Sequence, residues 1–155
     1  MLFKRLVREQ AESVFVVAQN NVGGGTSLAK DMPVQMDIGT AVDGVKVVTP
    51  TAAGAWCFYG VVDAAIADQD FGLVQVYGYR SSSQVFQTGT SQAAGLPLVN
   101  SAAVSYLLTT ASTYTFASNT TVSVTQFPYM AALLSSVASS AASATISVPV
   151  FLRCL

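Results

Sequence analysis

After Arg80 the next lysine, arginine, aspartate or glutamate is Arg153, so residues 81 to 152 carry no ionisable acid or base of these types. The gap is filled by Ser, Thr, Asn and Gln among Ala, Val and Leu. Charge therefore cannot keep half of this molecule wet, and hydroxyl and amide side chains must do so instead. Hydroxyl-rich strands meet that demand, because alternate residues of a strand face opposite sides and sort into a buried set and a wetted set. Across all 155 residues only 10% are charged, against roughly a quarter in ordinary globular chains, while 52% are hydrophobic. A net charge of -1 leaves little colloidal repulsion between copies. Such a surface suits a molecule that spends its life bound to neighbours.

The length is that of one domain. The first dozen residues concentrate charge as nowhere else, with Lys4, Arg5, Arg8, Glu9 and Glu12, and read as an N-terminal arm or short helix over 1–12. A β-domain over 13–155 follows. Val14-Phe15-Val16-Val17 is a β-branched and aromatic run ending in the turn-forming Asn20-Asn21-Val22-Gly23-Gly24-Gly25. Val34 to Ile38 alternates as a half-buried strand does, and Asp43-Gly44, a hairpin signal, leads into Val45 to Val48. Trp56 to Val62 is β-like. Phe71 to Tyr79 is the clearest strand, with Val74, Val76 and Gly78 on one face and Leu73, Gln75, Tyr77 and Tyr79 on the other. Beyond Arg80, turn signals recur at short intervals between runs at 105–109, 113–117, 121–126 and 145–152. Met130 to Ala144 is compatible with a helix, but strand and turn fit better. The expectation is a mainly β, single-domain β-sandwich or barrel of short antiparallel strands with a charged N-terminal arm.

Absences decide most of the chemistry. The chain has no histidine, which removes imidazole acid–base catalysis and the Ser-His and Cys-His pairs, and no enzyme is expected. Cys57 and Cys154 alone cannot fill a tetrahedral zinc shell. Cys57, inside the apolar run Trp56 to Tyr59, reads as a buried thiol, and a Cys57–Cys154 bridge is not expected. The N-terminus lacks the apolar core of a signal peptide. Asp63, Asp68 and Asp70 cluster in a loop without the EF-hand pattern and read as solvated loop acids, so neither metal nor cofactor is expected. Gly23-Gly24-Gly25 lacks the endings of phosphate-binding loops and reads as a flexible linker or hairpin loop. A pI near 5.0 and seven scattered basic residues give no footprint for nucleic acid. Met130 to Leu152 is diluted by serines and Pro149, so no membrane span is expected.

Trp56, Phe58, Tyr59, Phe71, Tyr77 and Tyr79 concentrate aromatic mass mid-chain. Core packing accounts for most of it. Tyr77 and Tyr79, on the outer face of their strand, are candidate interface anchors, with Arg80 at the edge of that interface. Lys4, Arg5 and Arg8 are the other interface candidates.

The order of these features resembles a group of small tailed-phage proteins often encoded beside the major capsid protein. The resemblance lies in Val14 to Val17 before an Asn-rich loop, Asp43-Gly44-Val45, Val48-Thr49-Pro50 and Tyr59-Gly60-Val61-Val62. It continues through Gly72 to Arg80 and the terminal Val148-Pro149-Val150-Phe151-Leu152-Arg153-Cys154-Leu155. It implies a head decoration (cement) protein on the exterior of the virion, assembled in the host cytoplasm. Such a protein is commonly a homotrimer that binds outside an HK97-type shell, with the major capsid protein and its own copies as partners. Many identical weak contacts multiplied by symmetry then stabilise the shell. A tail or fibre component, or a carbohydrate-binding module or hydrolase with a sparse carboxylate site, are the alternatives.

Overall fold

The computed structural model describes residues 12–39, 44–50, 57–87, 91–100, 107–109, 114–116, 120–122, 131–138 and 144–154. Among them are eleven strands and no helix. The strands are β1 (Ser13–Asn20), β2 (Pro33–Met36), β3 (Lys46–Val48), β4 (Phe58–Val62), β5 (Phe71–Gln87), β6 (Pro97–Asn100), β7 (Leu107–Thr109), β8 (Tyr114–Phe116), β9 (Thr120–Val122), β10 (Ala131–Leu133) and β11 (Ala144–Arg153).

Nine strands form one sheet in the order β1-β3-β2-β4-β5-β11-β10-β6-β7, and β1 and β7 each pair with β5 as well. The sheet therefore closes on itself twice, as two five-stranded circuits that share β5. Only a long strand can serve both, and β5 runs 17 residues. Its first half pairs with β1, from Gln19↔Phe71 to Ser13↔Gly78, and with β4 at Val61↔Gln75 and Val62↔Val74. Its second half pairs with β11, from Arg153↔Tyr77 to Ala144↔Gln87, and with β7 at Val85↔Leu107 and Phe86↔Leu108. Strands β8 and β9 form a separate pair.

Two irregularities let β5 turn from one circuit into the other. At Gly78 the backbone takes φ +100°, and a β-carbon there would collide with the carbonyl oxygen of Glu12, so this position requires glycine. Further on, Arg80 pairs with Val150 but Ser83 pairs with Val148, so Ser81 and Ser82 stand against Pro149 alone. This is a β-bulge, and Pro149, having no N–H to offer a ladder, suits the unpaired position opposite it. The extra residue reverses the inward face: Val74, Val76 and Arg80 point in before it, Ser83 and Val85 after it.

Each circuit encloses a core. Ala18, Val34, Val47 and Val74 fill the first, with Leu28 and Ile66, which bridge two loops. Val85, Leu98, Leu133 and Val150 fill the second. Strand β4 supplies both, with Val62 in the first and Phe58 and Val61 in the second. The fully buried aliphatics each contribute about 1.5–3 kcal/mol of burial, and packing is where the fold's stability resides.

The chain is mainly β as expected, with strands over Val14 to Val17, Val34 to Met36, Phe58 to Val62 and Phe71 to Tyr79, while Trp56 and parts of the runs at 105–109, 113–117 and 121–126 lie outside the described residues. The segment after Met130 is strand β10 followed by a bend, not a helix, over the described residues. Three features depart from the reading. Strand β5 does not end at Tyr79, because the bulge absorbs Ser81-Ser82 without breaking the ladder. Two pairings, β1–β3 and β5–β7, are parallel, since each closes a circuit between strands already directed by their other partners. The β2–β3 hairpin is joined by more than a two-residue turn: Gly44 has the left-handed φ of +73° the Asp-Gly signal implies, but β2 ends at Met36 and β3 begins at Lys46. Residues 1–11 of the proposed arm lie outside the described residues.

Candidate functional site

Among the described residues, Arg80 and its acids are engaged within the fold. Arg80 is 6% exposed, and all five of its guanidinium hydrogens have acceptors. Nε donates to Ser82 O (2.9 Å), Nη1 to Gln75 Oε1 (3.1 Å) and Asp63 Oδ1 (3.3 Å), and Nη2 to Asp31 Oδ1 (2.6 Å) and Val62 O (2.7 Å). Gln75 in turn donates to the carbonyls of Tyr77 and Tyr79, spanning the bend of β5. Arg80 is therefore not at an interface edge. Because β5 bends at Gly78, the side chain points between the circuits, where it ties β5 to Asp31 ahead of β2 and Asp63 behind β4. A buried guanidinium with this many partners is a structural clamp.

The glycine run is likewise pinned, not a flexible linker. Gly23, Gly24 and Gly25 all have positive φ, which turns successive amides inward as an anion-binding nest. The occupant is the chain's own Asp68: Oδ1 accepts from the Gly23 amide at 3.0 Å and Oδ2 from the Gly25 amide at 2.8 Å. The Gly25 amide above all, with Gly23 and Gln69, holds the Asp68 carboxyl below its ordinary pKa against a smaller desolvation effect. Buried Asn20 closes the same loop, donating to Thr26 O and Ile66 O and accepting from the Val22 amide. All three clustered acids are solvent-accessible loop acids, as expected, and Asp63 and Asp68 also accept hydrogen bonds from within the fold. Among the described residues no group of three His, Cys, Asp or Glu side chains is placed to hold a metal. Cys57 and Cys154 are not joined in a disulfide, and both are half-buried. Cys154 packs on the second core, and burial pushes its thiol up to about 12.

The surface also carries a group of exposed apolar side chains. On the outer face of the β1–β5 ladder, Phe15 is 41% exposed, Val17 59%, Phe71 62% and Leu73 46%. Val17 and Leu73 are direct cross-strand partners, and Gln19 stands opposite Phe71. The four side chains thus form one diagonal stripe, Phe15 at one end, the aliphatic pair in the middle and Phe71 at the other. Their inward neighbours Val16, Ala18 and Val74 belong to the first core, so the ladder is apolar on both faces. A strand of a one-sided sheet ordinarily shows polar residues to water.

Of the interface candidates from sequence, Tyr79 is exposed and Tyr77 half-buried. The Tyr77 ring meets Phe151 edge-on at 5.5 Å, so it packs across β5 and β11 as well as facing outward. Lys4, Arg5 and Arg8 lie outside the described residues. The stripe itself was missed, although the signal was present: Val14-Phe15-Val16-Val17 has no polar residue for either face. No described helix is long and apolar enough to cross a membrane. No family model, no curated protein and no solved structure matches the chain.

Proposed function

We propose that this chain is a structural protein of a tailed-phage virion, a head decoration protein that binds the outside of the capsid shell and reinforces the joints between capsomers. The observation that carries this reading is the stripe of Phe15, Val17, Phe71 and Leu73. A doubly closed β scaffold carries it, and Arg80 with its acids and Asp68 with its amides are engaged within the fold. A surface of this kind works by contact. The four side chains expose on the order of 350 Å² of apolar area, taking about 200 Å² for a whole phenylalanine. That lies within the range of patches that mark interaction sites on single chains, and is about half of one partner's share of a standard interface. Single contacts of that size are weak, and repetition over a symmetric shell makes them strong.

In this reading the partners are the major capsid protein and other copies of the chain, grouped in threes as the resemblance implies, with the basic segment of Lys4, Arg5 and Arg8 directed at the shell. The protein acts without a cofactor and catalyses nothing. Mass analysis of purified virions tests it. A copy number comparable to that of the capsid protein is expected; absence from virions, or a few copies that travel with isolated tails, would refute it.

A further inference from the structure

We infer that the stripe on the β1–β5 ladder is a self-contact, by which two copies of this chain meet face to face about a twofold axis. The inference rests on the reading of the protein as one that works by contact, and not on the identity of the shell. Three observations point to a second copy as the occupant.

The first is symmetry within the patch. An antiparallel ladder has a local twofold axis, and the one through the Val17–Leu73 pair relates Phe15 to Phe71. The four apolar side chains of the stripe therefore repeat end to end, while beyond them the half-buried Gln19 corresponds to the buried Gln75. A copy turned over about an axis across its middle sets aliphatic pair on aliphatic pair and Phe15 against Phe71 of the partner subunit, twice. An isologous contact needs that self-complementarity.

The second is charge. The stripe itself has none, so a partner that set an unpaired charge on it would meet an uncompensated desolvation cost. Its rim carries both signs. Lys46 pairs with Gln19 on the side away from Phe71 and shares its outward face, since Val47 beside it is buried. Asp70 directly precedes Phe71, and Glu12 directly precedes Ser13. A rim of one sign repels its own copy, and this rim, being of mixed sign, does not. The third is the shortage of charge in the chain as a whole, which leaves little repulsion for such a contact to overcome.

With about half the area of a standard interface side, the contact is weak in dilute solution, with dissociation in the range of roughly 10 μM to 1 mM, and becomes populated where copies are crowded. If the chain is trimeric, the same contact joins neighbouring trimers.

Sedimentation equilibrium of the purified chain over that concentration range tests this, alongside Val17→Asp, Leu73→Asp and the control Leu134→Asp, which alters an exposed leucine outside the stripe. Circular dichroism reports whether each variant is folded. Self-association of the wild-type chain is expected, weakened at least tenfold by either stripe variant and less than twofold by the control. A Leu73→Cys variant, with Cys57→Ala and Cys154→Ala, is expected to form a disulfide-linked pair on mild oxidation, because a residue near a twofold axis meets its own copy. Lack of self-association at the highest concentration, stripe variants that behave like the control, or no linked pair would overturn the inference. Shell binding read in parallel keeps the two ideas apart. Wild-type chain that pairs but does not bind shells sinks the decoration reading alone. Chain that binds shells through the stripe without pairing sinks the self-contact alone and makes the capsid protein its occupant.

Discussion

Replacing Arg80 with alanine tests whether the two circuits are held together by the clamp described above. The substitution strips the counter-charge from Asp31, whose side chain is only 18% exposed, and from Asp63, which is 43% exposed. It also leaves Gln75 Oε1 and Ser82 O without these donors, whereas Val62 O still accepts from the Asp31 amide at 2.9 Å. Removing one member of a buried ion pair costs about 3–5 kcal/mol, and an exposed partner such as Asp63 adds little to that. A loss of about 3–4 kcal/mol is therefore expected. In a chain of this size each kcal/mol moves the midpoint by roughly 2–4 °C, so the melting temperature falls by about 10 °C. Urea unfolding followed by circular dichroism, with a double-mutant cycle to Asp31→Ala, measures it. The double variant should lose less than the sum of the singles, by about 1–3 kcal/mol. Arg80→Lys should recover only part of the loss, since an ammonium cannot serve five acceptors in a fork. A cost under about 1 kcal/mol, or an additive cycle, would show that Arg80 is not the tie between the circuits.

Gly78→Ala should be among the most damaging single-methyl changes, at about 2–4 kcal/mol in urea unfolding, because it combines a left-handed backbone with a collision on the Glu12 carbonyl. Asp68→Asn should lower the melting temperature at neutral pH and not at acid pH. The folded carboxyl lies below its ordinary value of 3.8, so its contribution is present above that pH and fades as pH falls through the lower folded value; melting curves of both proteins from neutral to acid should converge. Cys154, with its thiol raised to about 12, should resist alkylation near pH 8 in the folded protein and react once denaturant exposes it, as peptide mapping after iodoacetamide would show.

The strands were legible wherever a single face is buried, because alternation is a local property: Val34 to Ile38 and Phe71 to Tyr79 both declare themselves. Partnership is not local. Nothing in the order of residues says that β1 and β7 both return to β5, since that depends on where the chain turns at Gly78 and at Ser81-Ser82. The serines have the composition of a turn, and only the pairing with β11 shows them to be a bulge. Arg80 was misplaced for the same reason, as its burial follows from a bend and from acids 49 and 17 residues away. The candidate surface was half legible. Tyr79 is exposed as its position in the alternation requires, but the run Val14 to Val17 declares only a strand, and its lack of polar residues does not say that Phe15 and Val17 face outward.

The shared strand also settles how the molecule bears tension. Strands β1 and β11 run in the same direction on opposite flanks of β5, and Ser13 and Arg153 both sit beside Tyr77-Gly78 at its midpoint. A pull applied between those two residues acts along the line joining them, across β5 and nearly perpendicular to all three strands. The cross-strand hydrogen bonds lie along the same direction, so the pairs at Ser13↔Gly78 and Arg153↔Tyr77 are loaded first and the two ladders peel away from the midpoint one pair at a time. The strand that joins the two circuits is thus also the line along which a stretch between these points would open them.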